Sequence, residues 1–224
     1  MRDIEINISE IFYSIQGEGL LAGRPSVFIR LAGCPLRCKF CDTKYAINSK
    51  TVKLRTIEQI VKQVKKYKTD YIVITGGEPL VSPHLSLLCR AFKKYHITIE
   101  TAGIKFVPGL ECGLMSISPK LSNAYLNKAD EKRYLKIDSL RKLIKNYDYQ
   151  LKFVIEKAED VREVEQILKS LKNIDYSKVL LMPQARTRKE YLAKSPLVAR
   201  LCLEYGFAFS PRLQVMLWDN KKGK

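Results

Sequence analysis

Three cysteines, Cys34, Cys38 and Cys41, share the stretch Cys-Pro-Leu-Arg-Cys-Lys-Phe-Cys, while Cys89, Cys112 and Cys202 stand apart. Thiolates are ligands of soft metal centres, and a trio with no fourth Cys or His close by suits a cubane iron-sulfur cluster with one iron lacking a protein ligand. An iron left open in this way can bind a substrate, just as a zinc ion with three protein ligands does chemistry and one with four is structural. A structural zinc is the rival reading. It would take its fourth ligand from Cys89, Cys112, Cys202, His84 or His96, none of which has zinc-finger spacing. A buried, inert trio fits less well, because Pro35, Arg37 and Lys39 mark the segment as an exposed loop. The second candidate is Thr75-Gly76-Gly77-Glu78-Pro79, which taken alone reads as an ordinary strand-to-helix turn.

Both segments follow β-rich runs. Pro25 to Gly33 is one, and others occur at Tyr71 to Thr75, Ile97 to Glu100, Met115 to Ser118, Leu151 to Ile155 and Val179 to Met182, giving six core strands. Between them lie amphipathic helical patterns. Ile57, Ile60, Val61 and Val64 follow a Thr56-x-x-Gln59 capping box. Ser82-Pro83 reads as a cap and first-turn proline ahead of Leu85, Leu88, Cys89 and Phe92, and Asp160-x-x-Glu163 opens a third helix carrying Val161, Val164, Leu168 and Leu171. Alternating strands and helices imply parallel β-α units, either an open sheet or a complete or partial barrel, with ligands at the C-terminal strand ends. Ile4 to Tyr13 and Phe207 to Trp218 read as extended segments that pair at a sheet edge or cover the site. No repeat or linker interrupts residues 1–224, so a single domain is expected.

Composition narrows the setting. Lys and Arg number 40 against 23 Asp and Glu, a formal net charge of +17 that favours anionic partners but is matched equally well by solvated lysines on several helix faces. Charge alone decides nothing here, and direct nucleic-acid binding is not expected. No apolar stretch approaches a membrane span and no leader pattern opens the chain, which points to the cytoplasm, where six cysteines are reduced thiols or ligands.

Cys34-x-x-x-Cys38-Lys-Phe40-Cys41 resembles the cysteine signature of the radical S-adenosylmethionine (SAM) superfamily, and Thr75-Gly76-Gly77-Glu78-Pro79 its GGE motif. Further segments narrow the resemblance: Ile15-Gln16-Gly17-Glu18-Gly19, Phe28-Ile-Arg30-Leu-Ala-Gly-Cys34, Cys41-Asp42-Thr43, Arg212-Leu-Gln214, and Leu217-Trp218 before Asn220-Lys221. Together they are similar to the 7-carboxy-7-deazaguanine synthase family, from about residue 9 to about residue 221. The resemblance implies an α/β partial barrel of about six parallel strands and a lyase that converts 6-carboxy-5,6,7,8-tetrahydropterin to 7-carboxy-7-deazaguanine with loss of ammonia, on the route to queuosine. It also implies a 4Fe-4S cluster on Cys34, Cys38 and Cys41, SAM bound at the open iron, Mg2+, a flavodoxin- or ferredoxin-like external electron donor, and a homodimer.

Carried over by position, Ile15, Gln16, Gly17, Arg30 and Thr75 contact substrate, Thr43 ligates Mg2+, and Phe40, Cys41, Asp42, Gly77, Ser118, Lys120 and Gln184 line the SAM pocket. Arg30 offers a planar fork for a carboxylate, against the alternative of a surface arginine. Thr43 supplies a single neutral oxygen and by itself reads as a turn hydroxyl, so Mg2+ would need substrate oxygens and water to complete its octahedron. Some family members end on a proline whose carboxylate reaches substrate; this chain runs on to Lys224, so no C-terminal ligand is expected. Three rivals remain: an activase forming a glycyl radical on a partner protein, a basic tRNA-binding metal-site protein, and a simple iron-sulfur electron carrier.

Overall fold

The computed structural model describes residues 4–47, 52–219, 221 and 223; Asn220 and Lys224 lie outside them. One nine-stranded sheet has the order β3-β1-β2-β4-β5-β6-β7-β8-β9. The six expected strands are all present: β2 (Pro25–Leu31), β4 (Tyr71–Gly76), β5 (His96–Thr101), β6 (Leu114–Ile117), β7 (Tyr149–Ile155) and β8 (Val179–Pro183). They run parallel, joined by a short seventh, β9 (Ala208–Phe209). At the other edge β1 (Glu5–Ile15) and β3 (Lys53–Thr56) add antiparallel strands. The sheet is open, as a partial barrel requires.

Strand alternation explains its two faces. Val27, Ile29 and Leu31 on β2, Ile72 and Ile74 on β4, Ile97 and Ile99 on β5, and Leu151, Phe153 and Ile155 on β7 all join the main core against the helices. Each such buried side chain contributes ~1.5–3 kcal/mol of transfer free energy. The alternate positions, among them Arg30, Thr75, Glu100, Ser116, Lys152 and Met182, line the opposite, concave side.

The helices follow their apolar stripes. In α1 (Ile57–Val64) the capping box forms as expected, Thr56 accepting from Gln59 N and Gln59 accepting from Thr56 N. Two expected caps differ. The N-cap of α2 (Leu85–Ala91) is His84, so Ser82 and Pro83 lie in the approach to the helix. In α5 (Asp160–Leu171) the capping position is Glu159, and Asp160 instead accepts from Glu156 N and Asn123 Nδ2, while Glu163 accepts from Ser122 N and Oγ. Both carboxylates thereby hold the loop after β6. The remaining helices are α3 (Glu131–Tyr134), α4 (Ile137–Asn146), α6 (Arg188–Tyr205) and α7 (Leu213–Trp218). The last is a correction, since that segment reads as extended; only Ala208 and Phe209 pair, and the chain then turns into a helix. No helix among the described residues is long and apolar enough to cross a membrane.

Candidate active site

The cysteine loop leaves the C-terminal end of β2. Gly33 N donates to Ala46 O at 2.9 Å, Cys41 N to Cys38 O at 3.2 Å, and the Arg37 guanidinium to the carbonyls of Cys34 and Leu36 at 2.6 and 2.8 Å. Beneath it Leu36, Ala102, Ala124, Tyr125 and Tyr134 form a small apolar cluster on which Cys34, Cys38 and Phe40 rest. All six cysteines are free thiols; Cys34, Cys38 and Cys41 are half-buried and line a common cavity. Burial pushes the Cys34 thiol up to about 11 and raises Cys38 as well, so metal binding there must displace protons. Among the described residues no three His, Cys, Asp or Glu are gathered as a single ion requires. The cavity lining offers three Cys and no His, the donor set of a cluster with one open iron rather than of a closed four-ligand zinc site.

Behind this loop lies the glycine pair. Gly77 N donates to Leu31 O and Glu78 N to Gly33 O, both at 3.0 Å, and the fit leaves no room for side chains. A Cβ on Gly77 would stand 1.8 Å from Gly33 O; one on Gly76, at φ +129, would stand 2.1 Å from Leu31 O. The buried Glu78 carboxylate accepts from Thr101 Oγ1, Ala102 N and Leu80 N at 2.5, 2.7 and 3.1 Å, which fixes the glycine loop to the end of β5. Next to it Ser118 N donates to Thr101 O at 2.7 Å and Lys120 Nζ to Ser118 Oγ at 3.0 Å. Gln184 accepts from Lys194 Nζ through its side-chain oxygen.

The floor is a strip of chain crossing the concave face. From Ile15, opposite Pro25 at the N-terminal end of β2, residues 16–20 run over to β7 and to the segment after β9. Gln16 Nε2 donates to Glu100 Oε1 at 3.1 Å, and its own oxygen accepts from Glu18 N. Lys152 Nζ lies 2.8 Å from Glu18 Oε2 and 3.7 Å from Glu100 Oε1. Arg212 Nε donates to Glu18 Oε1 at 3.2 Å, Arg212 Nη2 to Asp42 Oδ2 at 2.8 Å, and Gln214 Nε2 to Glu18 Oε1 at 2.8 Å. Burial works to raise the Glu18 pKa, but Lys152 and Arg212 with these hydrogen bonds overcome it and hold the carboxyl at about 2. The same carboxylates keep the buried Lys152 ammonium charged, its pKa raised against the desolvation that would lower it.

Arg30 and Thr75 are register partners on β2 and β4 and face the cavity side by side. The Arg30 guanidinium sits 5.6 Å over the Phe12 ring and donates through Nε to Glu10 Oε1 at 2.7 Å. Thr43 Oγ1 lies 3.8 Å from Cys41 Sγ.

Every residue named above for cluster, SAM, substrate or Mg2+ lines this one cavity of about 330 Å3, a volume suited to a small-molecule ligand. Sequence reading missed its ionic floor, Glu18, Glu100, Lys152, Arg212 and Gln214. A signal existed in β7, where Gln150 and Lys152 alternate with the core residues Leu151 and Phe153 in a strand that is buried along its whole length. Cys89 and Cys202 are buried in the core, and Cys112 packs against it.

A radical SAM superfamily model matches residues 28–183. A 7-carboxy-7-deazaguanine synthase of Halobacterium salinarum is 37% identical over 95% of this chain and 90% of its own length. The synthase of that name from Pyrobaculum aerophilum is 34% identical over 98% and 97%. Among solved structures, QueE from Escherichia coli superposes with a TM-score of 0.71 at 24% identity, covering 92% of this chain and 93% of that one, a likeness of fold.

Proposed function

This chain belongs to the 7-carboxy-7-deazaguanine synthase family of the radical SAM superfamily, and we propose from that premise how its residues divide the work of the reaction. It is a radical SAM lyase converting 6-carboxy-5,6,7,8-tetrahydropterin to 7-carboxy-7-deazaguanine with release of ammonia. The observation that carries this reading is identity spread over nearly the full length of both proteins, together with a single cavity that gathers the motif residues. A cavity of about 330 Å3 among strand ends also suits a small substrate better than the polypeptide an activase must admit.

Cys34, Cys38 and Cys41 hold the 4Fe-4S cluster, and Phe40, Cys41, Asp42, Gly77, Ser118, Lys120 and Gln184 surround SAM. When bound, cluster and SAM together supply a carbon-centred radical after transfer of one electron from an external flavodoxin- or ferredoxin-like donor. The protein's part is to place substrate and to keep water out. The amides of Gly77 and Glu78 are taken by Leu31 and Gly33, so the glycine loop presents carbonyls, which suit an ammonium group of SAM. Arg30 takes the substrate carboxylate, with Thr75 beside it. Ile15, Gln16 and Gly17 form the floor under the pterin. The side chain of Gln16 is committed to Glu100 and Glu18, so its contribution is mainly to fix this floor. Gln214 donates to Glu18 and packs its Oε1 against Gly17, so its contribution is to seat this floor. Thr43 gives Mg2+ one neutral oxygen, and the ion binds jointly with substrate, whose charge it offsets. The enzyme works as a cytoplasmic homodimer.

Anaerobic cluster reconstitution followed by assay with SAM, a reductant and the carboxytetrahydropterin tests the assignment. Formation of 7-carboxy-7-deazaguanine and 5′-deoxyadenosine is the expected result; deoxyadenosine without deazaguanine would remove the substrate assignment and retain the superfamily.

A further inference from the structure

The approach of β1 to the cavity contains an irregularity that its alternation does not predict. Ile6 and Ile8 point into the core behind the sheet, and continued alternation would send Glu10 after them. The register instead shifts between Ile8 and Glu10: Ile8 pairs with Leu31 and Glu10 with Arg30, so Ser9 is an extra residue in β1. This bulge reverses the phase of the strand. Ile11 returns to the core side, and Glu10 and Phe12 turn toward Arg30. The bulge is maintained although Ser9 Oγ is buried with no hydrogen-bond partner among the described residues, an unfavourable arrangement.

Glu10 Oε1 receives Arg30 Nε at 2.7 Å and Tyr45 OH at 2.6 Å. Arg30 and Glu10 side chains are only 14% and 16% exposed, so the contact is held out of bulk solvent. The guanidinium is further fixed over Phe12, which stacks on Phe28 at a centroid distance of 4.9 Å. An arginine grasps a carboxylate best through a pair of parallel N–H groups, and holding Nε from behind leaves the two Nη groups to turn outward together. Glu10 itself is not part of the cavity wall, whereas Arg30, Phe12 and Tyr45 are.

We propose that Glu10, aimed by the Ser9 bulge and bridged to Tyr45, is a positioning residue that sets the Arg30 fork for the substrate carboxylate and thereby determines the preference for a carboxylated pterin. This rests on the assignment of Arg30 to that carboxylate. The ordered fork loses less rotamer freedom on binding, so the gain falls on ligands that carry the carboxylate and is absent for ligands that lack it.

The test measures dissociation constants of 6-carboxypterin and of unsubstituted pterin on the SAM-loaded, cluster-reconstituted enzyme. Glu10→Gln should weaken 6-carboxypterin by about tenfold, on the scale of a charge-assisted hydrogen bond, and leave pterin within about twofold. Tyr45→Phe should move the same ratio in the same direction by less. Arg30→Lys should abolish most of the preference, and adding Glu10→Gln to it should change little more, because the first residue acts through the second. An unchanged preference in Glu10→Gln, equal weakening of both ligands, or full additivity with Arg30→Lys would overturn the proposal. A wild-type enzyme with no preference, or an Arg30→Lys variant that retains it, would instead remove Arg30 from the carboxylate, and the role of Glu10 with it. Thermal melts of each variant separate a misfolded protein from an altered ratio, and Tyr45→Phe, which removes only a hydroxyl, remains informative if Glu10→Gln fails to fold.

Discussion

Replacing Lys152 by Met removes the cation between two carboxylates at the cavity floor and leaves a side chain of similar length in β7. Lys152 is 3% exposed at its side chain and contacts Glu18 at 2.8 Å and Glu100 at 3.7 Å. Breaking a buried pair by deleting one partner costs about 3–5 kcal/mol, since the remaining charge stays buried. Glu18 would retain Arg212 and Gln214, so the lower end, about 3 kcal/mol, applies. For a chain of 224 residues this corresponds to a fall in Tm of roughly 6–12 °C. A thermal melt and a urea titration at neutral pH read the loss directly. Pairing the change with Glu18→Gln should cost less than the sum of the single changes, because the two residues share one interaction. The pH profile gives a separate check. With its folded pKa depressed from 4.5 to about 2, Glu18 contributes stability above the unfolded value that is lost as pH falls through that window. Lys152→Met relaxes the depression, so the contribution should be smaller and its loss confined closer to the ordinary carboxylate range. A Tm drop under about 2 °C, or strict additivity with Glu18→Gln, would show that the floor is not held by this ion pair.

Other consequences concern the cofactors. Substituting Cys34, Cys38 or Cys41 by Ala should abolish the brown cluster absorbance and SAM cleavage after anaerobic reconstitution, whereas Cys89→Ala and Cys112→Ala should keep both; the reverse pattern would overturn the ligand assignment. Thr43→Ala should lower turnover and blunt the response to re-added Mg2+ after chelation while leaving the cluster spectrum unchanged, because hard and soft centres use different ligands. Gly77→Ala places a Cβ 1.8 Å from Gly33 O, so it should separate the glycine loop from the cysteine loop and weaken SAM binding by at least about tenfold in an equilibrium titration.

What could be read from the sequence was local. The cysteine trio, the glycine pair and the strands before them are short segments whose chemistry is set by spacing, and the structure draws all of them to one cavity. The contacts that organise the cavity join distant segments. Glu18 meets Arg212 across most of the chain, and nothing in either neighbourhood encodes that meeting. Arg212 also sits in a stretch whose β-rich composition gives way to a helix after only two paired residues. Glu10 illustrates a different failure: uninterrupted alternation assigns it to the core, and only the paired strand reveals the bulge at Ser9. Asp160 and Glu163 have the spacing of a capping box, but Glu156 N after β7 and the Asn123 amide and Ser122 hydroxyl after β6 are competing donors, and those donors take the carboxylates.

The strip from Gln16 to Leu20 has a consequence for how this scaffold could diversify. Gly19 adopts φ +72, and a Cβ there would stand 2.3 Å from the Gln150 amide, which is itself bonded to Leu20 N and Ser116 Oγ. Gly17 is similarly closed off by Gln214. Single substitutions in the strip would therefore meet packed neighbours, while substitutions in those neighbours would unseat the strip. The depth of the cavity is thus set by the strip and its partners together and would change only through coupled substitutions.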